Sequence, residues 1–150
     1  MGHTYTSLMY HCVYSTKERR RMLTPDVRSR LIPFVGGILR KRGGKLISMN
    51  GTEDHVHLLC LFDPKRSVAE YLRDIKAISS GWIHATFRSS GAFAWQEGYG
   101  AFTVSLSACP NVREYVESQE EHHKKMTFEE ELIRLLDKHG VEYDPRFLLD

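Results

Sequence analysis

The order of elements in this 150-residue chain predicts an α+β fold: a ferredoxin-like (βαββαβ) antiparallel sheet with helices on one face, followed by a C-terminal helix and a further helix. Three observations carry that expectation. Short runs rich in Val, Ile, Tyr and Thr alternate with longer runs of helical spacing. Two capping boxes mark helix starts, Ser67 with Glu70 and Thr127 with Glu130. Glycine-bearing turns separate the elements, and no repeat, low-complexity tract or linker divides the chain, so residues 1–150 read as one domain.

Each element has its own justification. Thr4 to Ser15 alternates in part and is rich in Tyr, Val and Thr, which predicts a first strand. Thr24-Pro25-Asp26 opens a helix, with Thr24 as cap and Pro25 in the first turn. That helix should run to about Arg42 and stop at Gly43-Gly44. Pro33 and Gly36-Gly37 weaken its middle, so a kink or close packing on the sheet is expected. Lys45 to Asn50 reads as a second strand, Gly51 to Asp54 as a turn, and the apolar run from His55 as a third strand, giving a hairpin. Val68, Tyr71, Leu72, Ile75 and Ile78 keep helical spacing as far as Phe87, with Ser89-Ser90-Gly91 as the stop. Trp95 to Gly100 is an aromatic, glycine-rich loop, and Ala101 to Ser107 alternates as a fourth strand. Pro110 opens a helix expected to reach about Lys125. A last helix follows Thr127 and ends at His139, before Gly140.

Composition bounds the possibilities. The net charge is only +2, so the chain is no bulk polycation, but its basic residues cluster. The groups are Lys17, Arg19, Arg20 and Arg21; Arg40, Lys41, Arg42 and Lys45; Lys65 and Arg66; and Lys124 and Lys125. Segregated clusters can build one basic face for phosphates, or they can be ordinary solvated surface. Acidic residues concentrate later, as in Glu129-Glu130-Glu131. Cys12, Cys60 and Cys109 are odd in number and lack metal-ligand spacing, which suits buried free thiols in a reducing compartment. No apolar run approaches a membrane span and no signal peptide is visible, so a cytoplasmic location and no membrane partner are expected.

His55-Val56-His57 is the most informative motif. Alternate side chains of a strand share a face roughly 6.6 Å apart along the backbone. Two imidazoles so placed can converge on one divalent metal, while Val56 and Leu58 point into a core. With eight histidines in the chain, the alternative is a wet strand face that happens to carry two of them. Tyr115 and Gln119 are four apart on the predicted helix after Pro110, and so share a face. His122 lies about one turn further, and His123 four beyond Gln119. A polar stripe of Tyr, Gln and His can be a catalytic face, or Tyr115 can simply pack half-exposed on the sheet.

His55-Val56-His57 followed by Leu58-Leu59 resembles the His-hydrophobe-His signature of HUH nucleases. Tyr115 with Gln119, then His122-His123, resembles the tyrosine helix of single-tyrosine insertion-sequence transposases. The stretch from Trp95 and Gln96 through Gly98, Tyr99, Gly100, Ala101, Phe102, Val104 and Ser105 also resembles that family, as does the opening from Tyr10 and His11 to Lys17. The REP-associated tyrosine transposases are close relatives of it. The motifs occur in the family's order over nearly the whole chain. Glu53-Asp54, just before the histidines, has no role that the motifs assign.

The resemblance implies cleavage and rejoining of single-stranded DNA. Tyr115 would attack a backbone phosphate, giving a 5′-phosphotyrosine and a free 3′-hydroxyl. A phenol, with a pKa of about 10, is a good leaving group, so the step reverses without ATP. His55 and His57, with Gln119 as third ligand, would hold Mg²⁺ or Mn²⁺, and two imidazoles favour Mn²⁺ in affinity. His122 or His123 is a possible accessory, as ligand or phosphate contact. The implied partner is single-stranded, hairpin-containing DNA, and the implied assembly is a homodimer, with the tyrosine serving its own or the partner's histidines. Lys17, Arg19, Arg20, Arg73 and Lys76 are the DNA-binding candidates. Trp95 and Tyr99 either stack on bases or anchor the loop. Two rival readings remain: a domesticated non-catalytic nucleic-acid-binding module, which needs neither Tyr115 nor Gln119, and a metal-dependent hydrolase, which needs no tyrosine nucleophile.

Overall fold

The computed structural model describes residues 2–87 and 91–150. Its centre is a hairpin, β2 (Lys45–Gly51) and β3 (His55–Leu61), turned at Gly51. A Cβ on Gly51 would run into the carbonyl oxygen of His55, so glycine lets the two strands close tightly where the histidine strand begins. β1 (Met9–Ser15) lies on the other side of β3, with Val13 opposite His57 and Ser15 opposite His55. β4 (Gly100–Thr103) pairs with Tyr10 to Val13. All pairings are antiparallel and the order is β2-β3-β1-β4, the arrangement expected of βαββαβ.

One face of the sheet is covered by α1 (Pro25–Lys41) and α2 (Val68–Thr86). Cys12, Tyr14, Val56, Leu58 and Cys60 point to that face and pack on Val35, Leu39, Tyr71, Leu72 and Ile75. Burying each such side chain stabilises the fold by roughly 1.5–3 kcal/mol, so this is the main core. The opposite face is covered too. α3 (Cys109–Glu117) brings Val116 onto Met9 and Leu59, and α5 (Phe128–Lys138) lays Phe128, Leu132, Leu135 and Leu136 on Val13 and Phe102. The histidine face of β3 is therefore dry, which removes the reading of a wet strand face.

Three expected elements differ in extent, and α1 differs only in its course. The first strand starts at Met9 rather than Thr4, because Met9 pairs with Leu61, the last residue of β3. The fourth strand stops at Thr103, where Val104 makes one more backbone bond to Met9 and Ser105 turns to cap a short 3-10 turn. α1 continues through Pro33 and Gly36-Gly37 from Pro25 to Lys41 without a break. The helix expected from Pro110 to Lys125 begins at Cys109 and ends at Glu117; Ser118 leaves helical geometry, and a single turn, α4 (Gln119–His122), follows. The expected stop of α2 at Ser89-Ser90 lies outside the described residues. Cys12, Cys60 and Cys109 are free, the first two buried as expected and Cys109 partly so. No helix among the described residues is long and apolar enough to cross a membrane.

Candidate active site

Both histidines of β3 are fully buried, and further groups converge on them: His11 from β1, Tyr115 from α3, Gln119 and His123 around α4, and Glu131 from α5. His55 is fixed from behind. Its Nδ1–H donates to Asp54 Oδ1 at 2.7 Å, and Thr52 Oγ1 lies 2.9 Å from the same nitrogen. Burial works against an ionised Asp54, but its hydrogen bond with His55 prevails and holds the carboxyl below its ordinary range. Asp54 thus has the role the motifs did not assign: it orients the first histidine, as carboxylates do behind metal-binding imidazoles.

His57 is gripped at both nitrogens. Nε2 donates to Glu131 Oε1 at 2.8 Å, and Nδ1 lies 2.7 Å from His11 Nε2. Burial, working against the Glu131 charge, brings His57 down to about 4, and burial together with His57 brings His11 down to about 3. Both rings are therefore neutral near pH 7, the form in which imidazole binds metals.

Glu131 is the group sequence reasoning missed. It is 1% exposed, yet it is ionised: burial opposes the charge, but hydrogen bonds from His123 and His57 hold it far below the usual carboxylate range. Oε1 accepts from His57 and, at 2.9 Å, from His123 Nε2; Oε2 accepts from the Tyr115 hydroxyl. Burial, reinforced by Glu131, pushes the Tyr115 phenol up. A signal for Glu131 existed. It stands between Phe128 and Leu132 on the apolar stripe of α5, where an unpaired carboxylate has no place. Read only as part of Glu129-Glu130-Glu131, it passes for solvated charge.

The donor set suits a cation. His55, with Nδ1 engaged by Asp54, turns Nε2 inward. That atom faces Gln119 Oε1 at 3.4 Å and Glu131 Oε1 at 3.5 Å. Gln119 is set in this orientation because its Nε2 donates to the Tyr115 carbonyl at 3.1 Å. An imidazole nitrogen, an amide oxygen and a carboxylate oxygen therefore converge. The ligand atoms of His55, His57, His123 and Glu131 all lie within 4.8 Å of one another, a group that could hold a metal ion. The structure also separates the two accessory histidines. His123 joins the cluster, its ring 4.2 Å from that of His55, whereas His122 stacks on the Tyr115 ring at 4.6 Å.

Two clefts reach the cluster. One of about 860 Å³ opens beside Asp54 and His123 and carries Arg19, Arg21, Arg28, Lys124 and Lys125. The other, about 540 Å³, reaches Tyr115 and His122 and carries Arg134 and Lys138. Among the expected DNA contacts, Arg19 lines the first cleft; Lys17 is exposed on the same turn, and Arg20 is paired with Glu18 at 2.9 Å. Glu18 and Arg19 both adopt left-handed backbone, φ 58° and 54°, a geometry costing roughly 1–2 kcal/mol per residue. Arg73 and Lys76 belong to α2, across the sheet from the cluster. Arg73 is exposed and lies against Asp74. Lys76 faces a loop: its ammonium donates to the carbonyls of Gln96, Glu97 and Gly98 at 3.0, 3.2 and 2.5 Å, which uses all three hydrogens. Trp95 is a buried anchor whose Nε1 donates to Ser79, while Tyr99 stays 40% exposed with Lys76 over its ring.

The family model described as "Transposase IS200 like" matches residues 4–119. The ISDra2 transposase TnpA of Deinococcus radiodurans is 27% identical over 123 residues, covering 79% of this chain and 87% of that protein. The transposase for insertion sequence element IS200 of Salmonella typhimurium is 27% identical over 133 residues, covering 83% and 84%. Among solved structures, a Deinococcus radiodurans R1 protein described as a transposase superposes with a TM-score of 0.64 at 26% identity, over 79% of this chain and 96% of its own. A REP-associated tyrosine transposase bound to a REP hairpin superposes with a TM-score of 0.60 over 82% and 73%; at 14% identity, that likeness concerns the fold.

Proposed function

The chain belongs to the IS200-like transposase family, and we propose that it cleaves and rejoins single-stranded DNA through a covalent 5′-phosphotyrosine at Tyr115. One observation carries this reading: the Tyr115 hydroxyl is hydrogen-bonded into the same buried cluster that holds His55 and His57. The whole of residues 1–150 acts as one transposase domain in this reading.

Tyr115 Oη, oriented by its hydrogen bond to Glu131, bonds to phosphorus as its proton is released to solvent, and the bond from phosphorus to the 3′ oxygen breaks. The 3′ oxygen takes a proton from solvent and leaves as a hydroxyl. Rejoining reverses the sequence with another 3′-hydroxyl, so the phosphoester energy is conserved. His55 and His57, with Gln119, would hold a divalent ion, Mg²⁺ or Mn²⁺, which when bound polarises the phosphate and offsets charge in the transition state. Asp54 and His11 keep the two imidazoles aimed inward. Arg19, Lys124 and Lys125 on one side and Arg134 on the other supply cations for the flanking phosphates.

The substrate class is single-stranded DNA carrying a hairpin. Tyr115 stands beside the histidines of its own chain, its ring 5.9 Å from that of His57. A homodimer in which each subunit carries a complete site fits this reading, in the cytoplasm where chromosomal DNA is reached.

The test is a denaturing gel after incubation with labelled single-stranded hairpin DNA and Mn²⁺. A covalent protein–DNA adduct is expected, absent in Tyr115→Phe. Cleavage that survives Tyr115→Phe would favour a hydrolase that uses water. Binding with no cleavage by the unmodified protein on any of a panel of hairpins would favour a binding module.

A further inference from the structure

We propose that Glu131 is the carboxylate ligand of the active-site cation, and that with His123 it makes the centre select a first-row transition ion over Mg²⁺. The inference rests on the metal-site reading above and extends it to residues beyond 119, where the family match ends.

The geometry of the carboxylate is the first reason. Its two oxygens do different jobs. Oε1 lies 2.8 Å from His57 Nε2, 2.9 Å from His123 Nε2 and 3.5 Å from His55 Nε2, while Oε2 takes the Tyr115 hydroxyl. Ligand atoms around one such ion lie roughly 3 Å apart, Oε1 meets that spacing to all three imidazoles, and an ion there would displace to solvent the hydrogens that His57 and His123 now give to Oε1. Gln119 Oε1, 3.4 Å from His55 Nε2, completes the ring of acceptors. Bound in this way, Glu131 would tie the nucleophile to the ion through a single side chain.

The second reason is that Glu131 is built in. Thr127 caps α5, its Oγ1 accepting from Glu130 N at 3.2 Å, and Phe128 stacks on His55 with ring centroids 4.6 Å apart. A carboxylate so placed is preorganised rather than recruited. The third reason is donor chemistry. Mg²⁺ favours oxygen ligands and retains waters, whereas a set of three imidazoles and one carboxylate suits Mn²⁺, Co²⁺ or Zn²⁺.

The experiment uses the full chain freed of metal with chelator, Co²⁺ as probe, and visible absorption as readout. Glu131→Gln should lower Co²⁺ affinity at least about 10-fold and change the spectrum. Glu130→Gln, the exposed neighbour on the same helix, should match the unmodified protein. In the unmodified protein, excess Mg²⁺ should fail to displace Co²⁺, a readout that needs no variant to fold. Glu131→Gln with unchanged affinity and spectrum, or ready displacement by Mg²⁺, overturns the proposal. If His57→Ala loses Co²⁺ while Glu131→Gln keeps it, the histidine site stands and only the role of Glu131 falls. If the unmodified protein binds no Co²⁺, both fall.

Discussion

Tyr115 and Glu131 meet across a break in the chain: the phenol at the end of α3 donates its hydrogen to a carboxylate on α5, sixteen residues later. The contact closes the site over the two β3 histidines. It also couples the Tyr115 phenol to the packing of a helix that shares no turn with it.

Tyr115→Phe removes that donor and leaves Glu131 Oε2 buried with no partner. The change should cost about 1–3 kcal/mol of stability, alongside the loss of any DNA adduct. Urea denaturation of the metal-free protein measures it. An unchanged midpoint would mean that Oε2 finds another donor and that the contact does not hold α5.

Asp54→Asn should lower divalent-metal affinity roughly 10–100-fold while leaving the sheet intact, because Asp54 orients and polarises His55 through Nδ1. Calorimetric titration with Mn²⁺ reads the affinity and circular dichroism reads the fold. Equal affinity in the variant would remove Asp54 from the site.

The metal-free protein should lose stability on mild acidification. His57 is at about 4 in the folded chain against 6.5 when unfolded, so between those values the unfolded state binds more protons. Stability is then full above pH 6.5 and falls as pH drops toward 4, by a few kcal/mol, on the order of 3 for this histidine alone. His11, brought down to about 3, acts in the same direction. Denaturation midpoints across that window, with chelator present, check it; a flat profile would show that the two rings are not buried neutral.

Much of the fold is legible in the sequence. The capping boxes at Ser67 and Thr127 start helices where expected, and the hairpin and strand order follow from apolar runs between glycine turns. The site is legible only in part. His55, His57, Tyr115 and Gln119 are marked by spacing together with the family resemblance, although Tyr115 and Gln119 sit on either side of the break at Ser118 rather than on one helix. His11 and Asp54 are not marked, because their roles arise from contacts between elements or at a turn, and Glu131 is marked only by being a carboxylate on the apolar stripe of α5. Lys76 illustrates the same limit: a lysine at helical spacing carries no sign that loop carbonyls will hold its ammonium.

The basic clefts make a prediction that separates binding from folding. Arg19→Ala, Lys124→Ala and Lys125→Ala should each weaken single-strand binding and reduce the slope of log affinity against log salt by about 0.7 for every phosphate left without its cation. Lys76→Ala should instead lower stability and leave the salt slope alone, since its ammonium is held by Gln96, Glu97 and Gly98. Salt-dependent fluorescence anisotropy with a labelled hairpin distinguishes them. A reduced slope in Lys76→Ala would return that residue to the DNA surface.

The most direct measurement is the identity of the residue that carries DNA. The protein is incubated with single-stranded hairpin DNA and Mn²⁺, quenched, digested with nuclease and protease, and analysed by mass spectrometry. A nucleotide remnant attached through a 5′-phosphate to Tyr115 is the predicted result. Attachment to any other residue, or cleaved DNA with no protein linkage at all, would contradict the assignment of Tyr115 as the nucleophile.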